Sequence, residues 1–123
     1  RIWRKRLGGG MRQIGILAAA GLIALEDGPD RLHEDHANAR RLAEGLAEIE
    51  GISIDVEKVL TNIVIFDITH TGKTSAEIVA ALHGNGVMAI GFGNLLRMVT
   101  HCDVSGANID ETIEKLRDIL RPR

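Results

Sequence analysis

The segment Ile63-Val64-Ile65-Phe66 is a short, unbroken apolar run, which predicts a β-strand covered on both faces. A second strand is predicted at Leu95 to Thr100. A third, Val87 to Ile90, precedes it and is joined to it by Gly91-Phe92-Gly93-Asn94. Upstream, the segment Ile52-Ser53-Ile54-Asp55-Val56 alternates apolar and polar residues, which predicts a half-buried strand.

Helical patterns surround these strands. Met11 to Glu26 is apolar almost all round and predicts a buried helix. Asp27-Gly28-Pro29 ends it, and Pro29 suits the first turn of a second helix at about Asp30 to Glu48. In that helix His36 is expected to pack beside the apolar stripe.

Two further helices are predicted in the second half of the chain. Thr74-Ser75-Ala76-Glu77 has the pattern of a capping box, and its helix is expected to end near His83, before Gly84 and Gly86. Asn108 and Glu111 indicate the start of a last helix. Its apolar stripe consists of Ile109, Ile113, Leu116 and Leu120.

Strands grouped between helices favour an α+β fold, in which helices cover one face of a small, mainly antiparallel sheet. We divide the chain into a basic, glycine-rich segment with a connecting helix, residues 1–28, and an α+β domain, residues 29–123.

The composition excludes several classes of protein. The chain has 123 residues, of which 45% are hydrophobic and 26% charged, as in one globular domain rather than a disordered chain. Its one cysteine, Cys102, excludes a disulfide scaffold and fits a reducing compartment, so we expect a cytoplasmic protein. No apolar run approaches the roughly 20 residues that a bilayer requires, so we expect no membrane association.

Charge is distributed unevenly. Residues 1–12 contain five basic and no acidic residues, and the remainder has 10 basic against 17 acidic residues. Aromatic residues make up only 2% of the chain and tyrosine is absent, so the sequence does not favour nucleic-acid binding. A basic arm that binds a small anion fits better.

The glycine run Gly8-Gly9-Gly10, followed by Arg12, precedes the first predicted helix. Glycines let the backbone approach a ligand closely, and the N–H groups at a helix start can bind an anion. Glycine runs also serve as hinges or close packing points, and the two interpretations remain open.

No metal site is expected. His33 and His36 offer only two nitrogens. The segment His101-Cys102-Asp103 follows a predicted strand, where adjacent side chains point to different faces, so we expect no relay among them and a small, buried Cys102.

Arg97 is the most informative single residue. Strand alternation places it on the same face as Leu95 and Val99. An arginine between apolar neighbours lies at a sheet edge, with its guanidinium reaching water, or binds a carboxylate with two hydrogen bonds.

Two segments resemble the low-specificity L-threonine aldolases. The first is Arg4-Lys5-Arg6-Leu7-Gly8-Gly9-Gly10-Met11-Arg12-Gln13, with residues 15–21 after it, and the second is Leu96-Arg97-Met98-Val99-Thr100-His101-Cys102-Asp103-Val104-Ser105. Their order and separation also fit, so the resemblance covers essentially the whole chain.

The resemblance implies the C-terminal domain of a fold-type I pyridoxal-phosphate lyase that cleaves L-threonine or L-allo-threonine to glycine and acetaldehyde. It assigns Arg97 to the substrate carboxylate, and Lys5 and Arg12 to the cofactor phosphate across a subunit interface. It further implies a homo-oligomer, a tetramer in the intact enzyme.

None of Lys5, Lys58, Lys73 and Lys115 stands in the family's Schiff-base context. We therefore expect that an N-terminal cofactor domain is missing, that no catalytic residue lies in this chain, and that the chain alone is inactive. Two alternatives are a stand-alone module that binds small anions and a structural dimerisation unit.

Overall fold

The computed structural model describes residues 2–121. These residues fall into two compact units that divide between Leu32 and His33. The first unit contains the helices α1, Ile2–Arg6, and α2, Gly15–Glu26. Helix α3, Gly28–Ala47, begins in the first unit and continues into the second.

The glycine run lies at the end of α1, a helix that the sequence analysis did not predict. Gly8 has a φ of 81°, a value that favours glycine, and the Gly9 amide donates to the Arg4 carbonyl at 2.7 Å. A Cβ at Gly9 would lie 2.9 Å from that carbonyl oxygen. The glycines therefore end α1 by close packing rather than forming the start of a helix.

Helix α2 begins later than predicted because Gln13 has a φ of 50°, outside the helical range. Arg12 consequently precedes α2 instead of lying in its first turn. All residues of α2 are exposed in this chain, so the expectation of a buried helix is wrong here. Its large exposed side chains are Ile16, Leu17, Leu22, Ile23 and Leu25.

The second unit is built on a three-stranded antiparallel sheet. Its strands are β1, Ile63–Asp67, β2, Ile90–Phe92, and β3, Leu95–Val99, in the spatial order β1-β3-β2. Helices α4, Ser75–Gly84, and α5, Gly106–Leu120, complete the unit. The α+β prediction is confirmed.

Helices cover one face of this sheet. Residues of α3, α4 and α5 form one apolar core with the inward side chains of the strands. These inward strand residues are Val64, Phe66, Leu96 and Met98. The other side of β1 is exposed at Ile63 and Ile65, so the prediction that β1 is covered on both faces is wrong.

The helix starts follow local hydrogen bonding. Thr74 and Glu77 form the predicted capping box of α4. Helix α5 begins three residues earlier than predicted, because Ser105 is its N-cap and Asn108 completes the capping box. The predicted apolar stripe of α5 is buried in full.

The predicted strand at residues 52–56 is reduced to a single bridge between Ser53 and Asp67. Ile52, Ile54 and Val56 are half-buried, as the alternation predicts. The carboxylate of Asp55 accepts a hydrogen bond from the Glu57 amide and starts a 3-10 turn at Val56–Lys58. That local bond ends the extended segment.

Candidate functional site

The open face of the sheet is the surface that Arg97 shares with side chains from all three strands. Arg97 pairs with Ile65 of β1 on one side and with Ile90 of β2 on the other. Side chains alternate along a strand, and directly paired residues share a face. We use "open face" for Ile63, Ile65, Asp67, Ile90, Phe92, Leu95, Arg97 and Val99.

This open face is apolar and partly solvated. Ile65, Ile90 and Phe92 are 45%, 59% and 46% exposed, and Arg97 itself is half-buried. Because β3 is the central strand, the hypothesis that Arg97 lies at a sheet edge is wrong. Arg97 instead lies on the central strand, where its paired neighbours are the apolar residues Ile65 and Ile90.

Arg97 differs from the other arginines of the second unit in its partners. Among the described residues from His33 onward, each other arginine lies within ion-pair distance of a carboxylate, whereas the side chain of Arg97 forms no hydrogen bond or ion pair with any residue between 2 and 121. The paired arginines are Arg40, Arg41, Arg117 and Arg121.

Asp67 is the acidic residue of the open face, and its carboxylate is already bound. It accepts a hydrogen bond from the Thr69 amide at 2.7 Å. Hydrogen bonds from Thr69, with a smaller contribution from His70, hold the pKa of Asp67 below its usual value. Asp67 forms no ion pair with Arg97, and its carboxylate is stabilised by Thr69 instead.

Close packing and hydrogen bonds position the strand that carries Arg97. A Cβ at Gly91 would lie 2.8 Å from the Ser75 Cβ, so glycine allows β2 to lie close to α4. Beyond the C-terminal end of β3, the buried Thr100 hydroxyl donates to the Asp35 carbonyl at 2.7 Å. Its amide donates to the Asn62 carbonyl, and the Asn62 side chain donates to the Thr100 carbonyl.

Lys5 and Arg12 belong to the first unit. Lys5 lies in α1 and Arg12 in the segment before α2, and both side chains are exposed. Neither side chain forms an ion pair with a carboxylate in the part of the chain from Ile2 to Arg121. Of the three residues predicted to bind substrate or cofactor, only Arg97 belongs to the sheet.

The segment His101-Cys102-Asp103 differs from its prediction. These residues form a turn rather than a continuation of β3, so their side chains do not alternate between faces. Cys102 is exposed, which corrects the expectation of a buried thiol, and His101 Nδ1 lies 3.6 Å from Asp103 Oδ2. His36, expected beside the apolar stripe of α3, is also exposed.

No helix within residues 2–121 combines the length and the apolar content needed to cross a bilayer.

Comparison with solved structures supports the fold. A solved structure of MppP soaked with the product 2-ketoarginine superposes on this chain with a TM-score of 0.60 at 19% sequence identity. The match covers 79% of this chain and 30% of that one. At this identity the similarity concerns the fold alone.

Curated relatives are more similar in sequence. Low-specificity L-threonine aldolase 1 of Arabidopsis thaliana is 39% identical over 112 residues, covering 89% of this chain and 31% of the relative. A probable low-specificity L-threonine aldolase 2 of the same plant is 43% identical over 119 residues, covering 95% of this chain and 34% of the relative. The low specificity L-threonine aldolase of Escherichia coli strain K12 is 39% identical over 118 residues, covering 96% and 34%.

The chain thus spans about a third of the length of the curated relatives it matches. The family model for beta-eliminating lyases matches residues 1–70, which include the basic segment, the glycine run, α2, α3 and all of β1. That match covers more than half of the sequence, and on this basis the chain belongs to the beta-eliminating lyase family.

Proposed function

We propose that this chain is the C-terminal part of a pyridoxal-phosphate-dependent threonine aldolase, in which Arg97 binds the carboxylate of the amino-acid substrate. In this proposal residues 29–123 form the small domain, and the substrates are L-threonine and L-allo-threonine, cleaved to glycine and acetaldehyde. Support comes from the threonine aldolases that are similar over 89% or more of the chain.

The observation that carries the proposal is the unpaired guanidinium of Arg97 at the centre of the open face. A guanidinium presents its N–H groups in a planar fork that matches both oxygens of a carboxylate. Ile65, Ile90 and Phe92 would partly shield such a pair from water, and a charge-assisted hydrogen bond gains strength as water is removed. Arg97 would thereby orient the substrate through its acidic group.

The residues of the first unit fit the phosphate group of the cofactor. Lys5 and Arg12 are exposed cations without acidic partners among residues 2–121, and a phosphate requires such donors. Pyridoxal phosphate, when bound, supplies the electron sink for cleavage of a bond at the amino acid's α-carbon. In this proposal the lysine that binds pyridoxal phosphate covalently belongs to the missing N-terminal domain.

Two further elements of the proposal concern assembly and location. We propose that the intact enzyme is a homo-oligomer, a tetramer, because α2 exposes apolar side chains on every side. We also propose a cytoplasmic location, which the free and exposed thiol of Cys102 supports.

A chimera tests the role of Arg97. Residues 1–123 replace the matching third of the Escherichia coli relative, and threonine cleavage is measured as acetaldehyde release. Arg97→Ala is expected to raise KM for L-threonine by roughly 10- to 100-fold, the equivalent of about 1.5–3 kcal/mol for a hydrogen bond to a charged group. Arg97→Lys is expected to restore only part of the affinity, since lysine lacks the planar fork.

Arg121→Lys is the matched control, because Arg121 is an exposed arginine away from the open face, and its KM is expected to equal that of the parent chimera. The 123-residue chain alone, given pyridoxal phosphate and L-threonine, is expected to release no acetaldehyde. An unchanged KM in Arg97→Ala would refute the assignment.

A further inference from the structure

The turn after β3 brings together three side chains of different chemistry. His101, Cys102 and Asp103 each offer one ligand atom, and these atoms all lie within 4.8 Å of one another. All three side chains are exposed. An imidazole nitrogen, a thiol sulfur and a carboxylate oxygen are the three donor types that bind zinc in proteins.

Both ends of this turn are held in place. Before it, the buried Thr100 is bound to Asp35 and Asn62 by hydrogen bonds. Across it, the Val104 amide donates to the His101 carbonyl at 2.8 Å, and the Asn38 side chain donates to the Val104 carbonyl at 2.9 Å. A backbone fixed in this way keeps the three side chains close without a large loss of chain entropy when a ligand binds.

Two contacts hold the imidazole of His101 beside Asp103. The Asp103 amide donates to His101 Nδ1 at 3.3 Å. The same nitrogen lies 3.6 Å from Asp103 Oδ2. Zinc binding at Nδ1 would replace this long hydrogen bond, whereas binding at Nε2 would keep it.

We propose that His101, Cys102 and Asp103 form a binding site for a divalent zinc ion. A thiolate and an imidazole select zinc over magnesium and calcium, which prefer oxygen ligands. Three protein ligands leave the fourth tetrahedral position to water or a small anion.

A small molecule could reach that fourth position. His101 and Asp103 also line a cleft of about 320 Å³, together with Glu111 and Lys115. The zinc site and the carboxylate site of Arg97 use different residues, so either proposal can fail without the other.

Cobalt provides the direct test, because a thiolate bound to Co²⁺ gives a near-ultraviolet charge-transfer absorption. The complete 123-residue chain, reduced with a non-chelating phosphine, is titrated with Co²⁺ and then with Zn²⁺. We expect one equivalent of Co²⁺ to produce this absorption, and Zn²⁺ to remove it. Cys102→Ser is expected to abolish the absorption, and His101→Asn to weaken Zn²⁺ binding at least about tenfold.

His83→Asn is the matched control, since His83 is an exposed histidine at the end of α4, and its binding is expected to equal that of the unmodified chain. A second readout is the melting temperature, which Zn²⁺ should raise in the unmodified chain but not in Cys102→Ser. No charge-transfer absorption, or Zn²⁺ binding that persists in both variants, would overturn the proposal. The contact between His101 and Asp103 would then serve only to stabilise the turn.

Discussion

Gly45 of α3 lies directly against Ile113 of α5. A Cβ added at Gly45 would overlap the side chain of Ile113, which is buried in the core. The absence of a side chain at residue 45 therefore allows the two helices to pack closely.

Gly45→Ala is expected to destabilise the fold. Overpacking costs about 1–3 kcal/mol, whereas alanine regains up to about 1 kcal/mol of helix propensity, so a net loss of about 1 kcal/mol is expected in urea unfolding. Gly84→Ala in α4 is the control, because a Cβ there meets no atom within 4 Å. Equal or greater stability of Gly45→Ala would show that the two helices are not in close contact here.

At the residue scale, local sequence patterns predicted the face on which a side chain lies better than they predicted which residues surround it. Alternation along residues 95–99 correctly placed Arg97 on the face of Leu95 and Val99. The order of the strands, which makes β3 central, depends on contacts between distant residues and could not be predicted from the strand itself. The burial of Cys102 was predicted wrongly because the turn at residues 101–103 gives no alternation signal.

Helix α4 begins with a complete capping box, formed by Thr74 and Glu77. The Glu77 carboxylate accepts hydrogen bonds from the Thr74 amide at 2.8 Å and from the Thr74 hydroxyl at 2.7 Å. These bonds favour the ionised form and hold the pKa of Glu77 below its usual value.

Because the pKa of Glu77 is lower in the folded chain than in the unfolded chain, its stabilising effect is complete above the unfolded value and is lost as pH falls through the folded value. We therefore expect the free energy of unfolding to decrease between about pH 6 and pH 3. Glu77→Gln should reduce this decrease, since glutamine keeps the cap but does not titrate.

Asp55 and Asp67 also have lowered pKa values, through hydrogen bonds from Lys58 and Thr69 respectively, so part of the pH dependence should persist in Glu77→Gln. Glu50→Gln is the control, because Glu50 is exposed and has no hydrogen bond to any residue from 2 to 121. A Glu77→Gln variant with the full pH dependence of the parent would contradict the role of this carboxylate.

At the element scale, the predictions succeeded where several local signals agreed. Helix α3 was predicted within two residues at each end, and the cap of α4 was identified from its spacing. The predictions failed where one local bond changed the outcome, as when the Asp55 side chain started a 3-10 turn in place of a strand. At α5, Ser105 and Asn108 provide the cap that was assigned to Asn108 and Glu111.

For the whole molecule, the main unfavourable feature is the apolar surface that α2 exposes to water. Ile16, Leu17 and Ile23 are 86%, 59% and 61% exposed, and exposed apolar patches of this kind favour association. A helix apolar on all sides is typical of a protein interior. The expectation of a buried helix is wrong for this chain, because no residue of α2 belongs to the apolar core.

We expect the 123-residue chain to self-associate through α2. In sedimentation velocity, the unmodified chain should form species larger than its 13.3 kDa monomer, and Leu17→Lys with Ile23→Lys should shift it toward the monomer. Leu60→Lys is the control, since Leu60 is exposed in the second unit outside the helices and strands. A monodisperse monomer of the unmodified chain would contradict this expectation.

The proposed contact between Arg97 and the substrate carboxylate is tested most directly by removing the guanidinium and the carboxylate in turn. In the chimera with the Escherichia coli relative, inhibition constants are measured for L-serine and for ethanolamine, its analogue without the carboxylate, in the parent and in Arg97→Ala. We predict that Arg97→Ala raises the inhibition constant of L-serine by roughly 10- to 100-fold and leaves the inhibition constant of ethanolamine unchanged. Equal weakening of both inhibitors, or of neither, would contradict a contact between Arg97 and the carboxylate.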